Sequence, residues 1–172
     1  MPKKHHSTHR VGEIGEAAFL LTASQRGLIV SKPFGDKESY DFIVDNGTRS
    51  LRVQVKTTGK RASRASYHVT IARGTAKSTP YKKRDLDFLV IHVLPERTFY
   101  ILPYKALAGR VALSVPSTHR KKPSPFAQHH ERWDLLLGTN NLDTNEVSTI
   151  HAVAEQTQAP VPVACFASVG QG

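Results

Sequence analysis

Two alternating stretches joined by Asn46-Gly47 constrain this chain more than any other feature of it. Residues 40–45 (YDFIVD) and 51–56 (LRVQVK) read as the arms of a β-hairpin, because Asn-Gly tolerates the positive φ angles that a tight type I′ turn demands. In the second arm Leu51, Val53 and Val55 fall on one face and Arg52, Gln54 and Lys56 on the other, since strand side chains alternate. One face therefore has to be buried, and the other presents a polar row. A hairpin is not stable alone and needs further strands or a helix against its apolar side.

The flanking sequence supplies both. Residues 11–26 are rich in helix formers and end before Gly27, which predicts a helix with Ile14, Ala17, Ala18 and Leu21 as its buried stripe and Glu16 near the stripe's edge. A short strand is expected over 28–31, followed by a turn-rich loop through Gly35. After the hairpin, 57–64 reads as a basic loop, 66–72 as a strand and 74–84 as a second basic connection. Residues 86–93 and 98–103 are strands about the turn 94–97. A short helix opening at Pro103, a strand at 111–115, a third basic stretch at 119–125 and a helix over 126–137 complete the body. The folded unit is placed at 1–138, with 139–172 a weakly structured extension.

Charge is divided along the same line. The chain of 172 residues carries 24 Lys and Arg against 14 Asp and Glu; all 24 bases and 10 of the acids lie before residue 133, and the last 40 residues hold four acids and no base. A basic body suggests a polyanion partner, because each cation placed on a phosphate releases condensed counterions. Three clusters are candidates for tracking a phosphate backbone: Lys60, Arg61 and Arg64; Lys82, Lys83 and Arg84; Arg120, Lys121 and Lys122. With Cys165 as its one cysteine the chain excludes a disulfide framework and a multi-cysteine zinc site. No apolar run approaches membrane-spanning length and no secretory signal opens the chain, so a cytoplasmic protein is expected.

The chemistry-bearing residues are Glu16 on the first helix, Asp41 on one hairpin arm, and Gln54 and Lys56 on the polar face of the other. Antiparallel pairing brings Asp41 beside the Gln54–Lys56 end. Oxygen donors with an adjacent ammonium are what phosphodiester hydrolysis uses: the oxygens hold a hard cation, and the ammonium serves the attacking water. Each piece also has an ordinary reading, Glu16 as a charge favoured by the helix dipole and Asp41 as a strand-end residue.

Together, Gly12-Glu13-Ile14-Gly15-Glu16, Gly35 to Asp41, Val53-Gln54-Val55-Lys56-Thr57, Asp85-Leu86-Asp87-Phe88 and Tyr100 to Pro103 resemble the PD-(D/E)XK nuclease superfamily, in its branch of homing endonucleases and archaeal Holliday-junction resolvases. The resemblance implies a restriction-endonuclease-like α/β core, a mixed central sheet flanked by helices in the order α-β-β-β-α-β. It implies Mg²⁺, or Mn²⁺, held by Glu16, Asp41, Gln54 and the Val55 carbonyl, with Lys56 assisting water. Glu13 is the rival for the role of Glu16. Gln54 stands where the family usually has an acid, and an amide oxygen can ligate a hard cation without adding charge. DNA is the implied partner, and cutting two strands implies a homodimer or higher assembly. A homing or restriction-type enzyme and a junction resolvase both remain open, as does a DNA-binding module that keeps the fold without catalysis. A basic RNA-binding protein leaves the Gln54/Lys56 row unexplained.

Overall fold

A computed structural model describes residues 8–35, 37–73, 79–107, 109–120 and 122–138. Helix α1 (Thr8–Gln25) is followed by β1 (Ile29–Ser31), β2 (Phe42–Asp45) and β3 (Ser50–Thr58), then β4 (Arg61–Ser63), β5 (Ser66–Thr70), β6 (Phe88–Val93), β7 (Thr98–Pro103), β8 (Ala112–Pro116) and a short α2 (Asp134–Leu137). Five strands form the central sheet in the order β1-β2-β3-β6-β7, antiparallel except where β3 and β6 run side by side in parallel. The mixed α/β sheet expected from the sequence is present.

Alternation on β3 decides how the sheet is covered. Leu51, Val53 and Val55 turn to one side and bury with Phe19 and Ala23 of α1, Phe88 and Val90 of β6, and Trp133 and Leu136 of the last turns. On the other side Leu89, Ile91 and Val93 of β6 and Tyr100 and Leu102 of β7 meet Tyr67, Val69, Leu113 and Val115. Those last four come from a second sheet in the order β4-β5-β8. Strand β6, buried along its whole length, is the floor of both cores, as befits a parallel strand covered on both faces.

Five expectations need correction. No helix lies between β3 and β6 among the described residues; the crossover that a parallel pair requires is made by β4, β5 and a loop. The reason is visible in 66–71, where Tyr67, Val69 and Ile71 are buried at a spacing of two, a strand's period and not a helix's. The basic loop 57–64 is partly strand, because β3 runs on to Thr58 and β4 pairs with β5.

The hairpin turn is a four-residue loop instead of a two-residue type I′ turn, since Asp45 pairs with Ser50. Gly47 has φ +81° but Asn46 stays at negative φ. The Asn46 side chain has other work: its Oδ1 accepts from the Thr48 and Arg49 backbone and the Thr48 hydroxyl, and its Nδ2 donates to the Leu136 carbonyl at 2.8 Å. Residues 126–137 form a 3₁₀ turn and the short α2 in place of one helix. Here Glu131 breaks the helical path at φ +51°, with its carboxylate accepting from Thr98, the Phe99 N–H and the Trp133 indole.

The fifth correction concerns α1 and bears on the site. Its buried line is Gly15, Phe19 and Ala23, while Ala17 and Leu21 are exposed. A Cβ built on Gly15 would lie 2.9 Å from Thr57 Cβ and 3.2 Å from its Cγ2, with Thr57 Oγ1 nearer still. The helix backbone therefore lies directly on β3 at a place where only glycine fits, and that close approach sets the phase. The described helices include none long and apolar enough to cross a membrane. The expected extension at 139–172, with Cys165, falls outside the described residues.

Candidate active site

Gly15 presses on Thr57, which seats α1 on β3 at the turn of helix that carries the next residue, Glu16. Glu16 is the ninth of 18 helical residues, too far from the N-terminus for the dipole to explain it. Asp41 lies just ahead of β2, with its N–H donating to the Val53 carbonyl at 3.0 Å, as if continuing the ladder. Its Oδ2 accepts the Val55 N–H at 2.8 Å and a bond from Gln54 Nε2. Gln54 is buried, and its Nε2 also donates to the Val55 carbonyl at 3.1 Å. Three of the expected residues are thus tied together at one end of the hairpin.

Glu16 and Asp41 line one cleft of about 280 Å³ with Lys32, Pro33, Gly35, Glu38 and Tyr40. Burial pushes the Asp41 carboxyl above the usual carboxylate range; the Val55 N–H opposes this, and the charge of Glu16 adds to the rise. Lys56 has no hydrogen-bond or ion-pair partner among the described residues, and its charge acts on Asp41 to favour the ionised form. Lys32 was not anticipated: its Nζ is 2.8 Å from Glu16 Oε2. A lysine inside a Lys-Pro-Phe-Gly turn gives no sequence signal beyond that of a polar loop.

The donor chemistry suits a hard cation. Asp41 Oδ2 and the Val55 carbonyl converge on one point, filled by the positively polarised amide nitrogen of Gln54. A half-turn of that amide would present its oxygen to the same point. No group of three or more His, Cys, Asp and Glu is gathered among the described residues, so a cation would depend on the amide and a backbone carbonyl as well as on two carboxylates. Glu13 is exposed and pairs with His9 at 3.2 Å, outside this set.

The family model for the PD-(D/E)XK endonucleases matches residues 6–137. The chain belongs to that family. Among solved structures, this PD-(D/E)XK endonuclease is similar to the bacterial homing endonuclease I-Ssp6803I, at 30% identity and a TM-score of 0.69, over 77% of this chain and 94% of that one. It also aligns with MepB at 17% identity and a TM-score of 0.39, over 67% of this chain and 91% of that one. No curated protein matches the chain.

The basic clusters of this endonuclease are distributed unevenly. Lys82, Lys83 and Arg84 are exposed, and the loop bearing them is fastened by Arg52, which donates to the Lys83 and Arg84 carbonyls and to Asp87. Burial raises Asp87, but the Arg52 bonds outweigh it and hold the carboxyl below its ordinary value. Arg84 lines a second cleft, of about 230 Å³, that shares Glu38 and Tyr40 with the first. Lys60 and Arg64 are exposed; Arg61 lies over the Tyr67 ring at 4.3 Å and donates to the Arg64 carbonyl. Arg120 and Lys122 line a different cleft with His130 and Tyr100, and Lys121 falls outside the described residues.

Proposed function

We propose that this protein is a divalent-metal-dependent DNA endonuclease of the homing or restriction type, with Glu16, Asp41, Gln54 and the Val55 carbonyl as cation donors and Lys56 as the group that serves water. The observation that carries the proposal is the convergence of Asp41 Oδ2 and the Val55 carbonyl on one amide nitrogen, in an arrangement whose carboxylate shares a cleft with Glu16. Mg²⁺ fits the donor set, and Mn²⁺ is the alternative. Such a cation contributes charge: it polarises a phosphoryl oxygen and makes water acidic enough to act at neutral pH.

The chain's own groups do the rest. Asp41 is fixed by the Val55 N–H, so its second oxygen is held without a search through rotamers. Lys56, unpaired among the described residues, offers three donors to the attacking water or to the phosphate. Lys82, Lys83 and Arg84, on a loop pinned to β3 by Arg52, supply backbone contacts close to the reacting phosphate. The likeness to a homing endonuclease supports duplex cleavage at a defined site over junction resolution. Because one domain holds one site, a homodimer or higher symmetric assembly is proposed for cutting both strands.

A non-catalytic DNA-binding module is the second reading. It is favoured by the Gln54 amide nitrogen, which as placed satisfies the two oxygens internally. Supercoiled plasmid and a four-way junction incubated with Mg²⁺, Mn²⁺ or EDTA, with wild type beside Asp41→Ala and Lys56→Ala, separate the readings. Metal-dependent cutting lost in both variants supports the nuclease, and the preferred substrate gives its type. DNA binding without cutting in any metal supports the module.

A further inference from the structure

Of the two lysines at this site, Lys56 is unengaged among the described residues and Lys32 is not. Lys32 Nζ sits 2.8 Å from Glu16 Oε2, in the cleft that also holds Asp41. The pair is unevenly exposed: the Lys32 side chain is 64% accessible and that of Glu16 27%. The ammonium thus reaches in from solvent onto a carboxylate of the wall and can leave without breaking a core. The Phe42 ring lies 5.9 Å from Nζ. Glu16 raises the Lys32 pKa through its hydrogen bond and charge, and Asp41 contributes further.

A matching arrangement exists on the other carboxylate, where the Gln54 amide N–H group lies on Asp41. Both carboxylates therefore carry a positively polarised group of this chain. The two differ in what release requires. The amide turns about its own bond to present oxygen, whereas the ammonium has no acceptor to offer and has to move away.

We propose that Lys32 is a built-in counter-ion for Glu16, which holds that carboxylate in the metal-free protein and is displaced when a divalent cation binds. The inference rests on the metal-dependent reading above and adds a residue to it: Lys32 is a positioning residue that sets how much metal the site requires. A competitor and an orienting partner predict opposite signs. If Lys32 competes, its removal tightens metal binding; if it holds Glu16 in a ligating pose, removal weakens it.

The test is Mn²⁺ binding by the full chain, followed by loss of the free-ion electron paramagnetic resonance signal without DNA, so that cleavage is not the readout. Wild type, Lys32→Met, Glu16→Gln, the Glu16→Gln/Lys32→Met double variant and Asp41→Asn are compared, each first shown to melt cooperatively in EDTA. Lys32→Met is expected to bind about two- to fivefold more tightly, the range of a part-exposed ion pair. In the Glu16→Gln background the same change should have less than half that effect, because the coupling runs through Glu16. Unchanged or weaker binding by Lys32→Met overturns the inference while leaving the metal site standing, as does an equal gain in both backgrounds. Absence of any Mn²⁺ binding that Asp41→Asn removes overturns the metal-dependent reading and this inference with it.

Discussion

Gly15→Ala is the substitution through which the geometry of α1 is most directly tested. On an exposed helix it would stabilise by about 1 kcal/mol, the difference in helix propensity. Here the added methyl would meet Thr57 Cβ at 2.9 Å and Cγ2 at 3.2 Å, with Oγ1 nearer still. Carbon atoms rest at about 3.5–4.0 Å, so the helix has to lift from β3 by something on the order of an ångström. Overpacking of this kind costs roughly 1–3 kcal/mol. The net expectation is a loss of about 0–2 kcal/mol, which for a chain of this size lowers Tm by up to roughly 8 °C.

The larger effect should be on the site, because Glu16 moves with the helix and a displacement near 1 Å can cost on the order of a hundredfold in rate. Thermal melting and single-turnover cleavage on the same preparations measure the two effects. Gly15→Ala paired with Thr57→Gly, which removes the obstructing side chain, is expected to recover part of the activity. A Gly15→Ala variant that melts above wild type and cuts at the wild-type rate would refute the reasoning, since it would mean that the helix does not rest on Thr57.

Three further outcomes follow from the polar contacts. Gln54→Glu removes the N–H that bonds Asp41 and sets two carboxylates together, so the protein in EDTA should lose about 1–3 kcal/mol in urea unfolding, while Mn²⁺ affinity rises on the order of tenfold from the added ligand charge. Asp41→Asn should melt higher than wild type at pH 7 and fail to cut: a carboxyl raised by burial favours the fold when protonated, below its unfolded pKa, and that contribution is lost as pH rises through the folded value. Glu96 is the opposite case. Burial pushes it up, but bonds from Ser117, Thr118 and Tyr67 prevail and bring it to about 2. Its contribution is present above its unfolded value near 4.5 and fades as pH falls toward 2, so Glu96→Gln should lose on the order of 1–3 kcal/mol at pH 7 and almost nothing at pH 2.

The hairpin and its two faces were legible because alternation is local: Leu51, Val53 and Val55 cannot share a face with Gln54 and Lys56 whatever surrounds them. The structure brings together Glu16, Asp41, Gln54 and Lys56 near one end of that hairpin, the place the spacing indicated. What stayed hidden depended on distant partners. The phase of α1 was missed because a glycine–threonine approach carries no hydropathy, so Leu21 read as buried. Asn46 read as a turn residue because its bond to the Leu136 carbonyl joins positions 90 apart. Residues 126–137 have helical composition, yet Glu131 is claimed by Thr98 and Phe99 of β7. Lys32 was silent for the same reason, since only the fold brings it to Glu16.

The parallel pairing of β3 with β6 also bears on the order in which the molecule can assemble. Asp41, Gln54 and Lys56 belong to the β2–β3 hairpin and its approach, whose pairing of Phe42 with Val53 closes across 11 residues, as does that of Val90 with Ile101 in the β6–β7 hairpin, whereas Gly15 of α1 meets Thr57 only across 42. The β3–β6 ladder waits on a detour through β4 and β5 before Phe88 can reach Val53. Short closures are made before long ones because they surrender less chain entropy. Pulse-labelled amide exchange during refolding should therefore protect the β2–β3 and β6–β7 hairpins before the amides that bond between β3 and β6, with Asp41 beside Gln54 while Glu16 on α1 and the loop of Lys82, Lys83 and Arg84 are still unfastened.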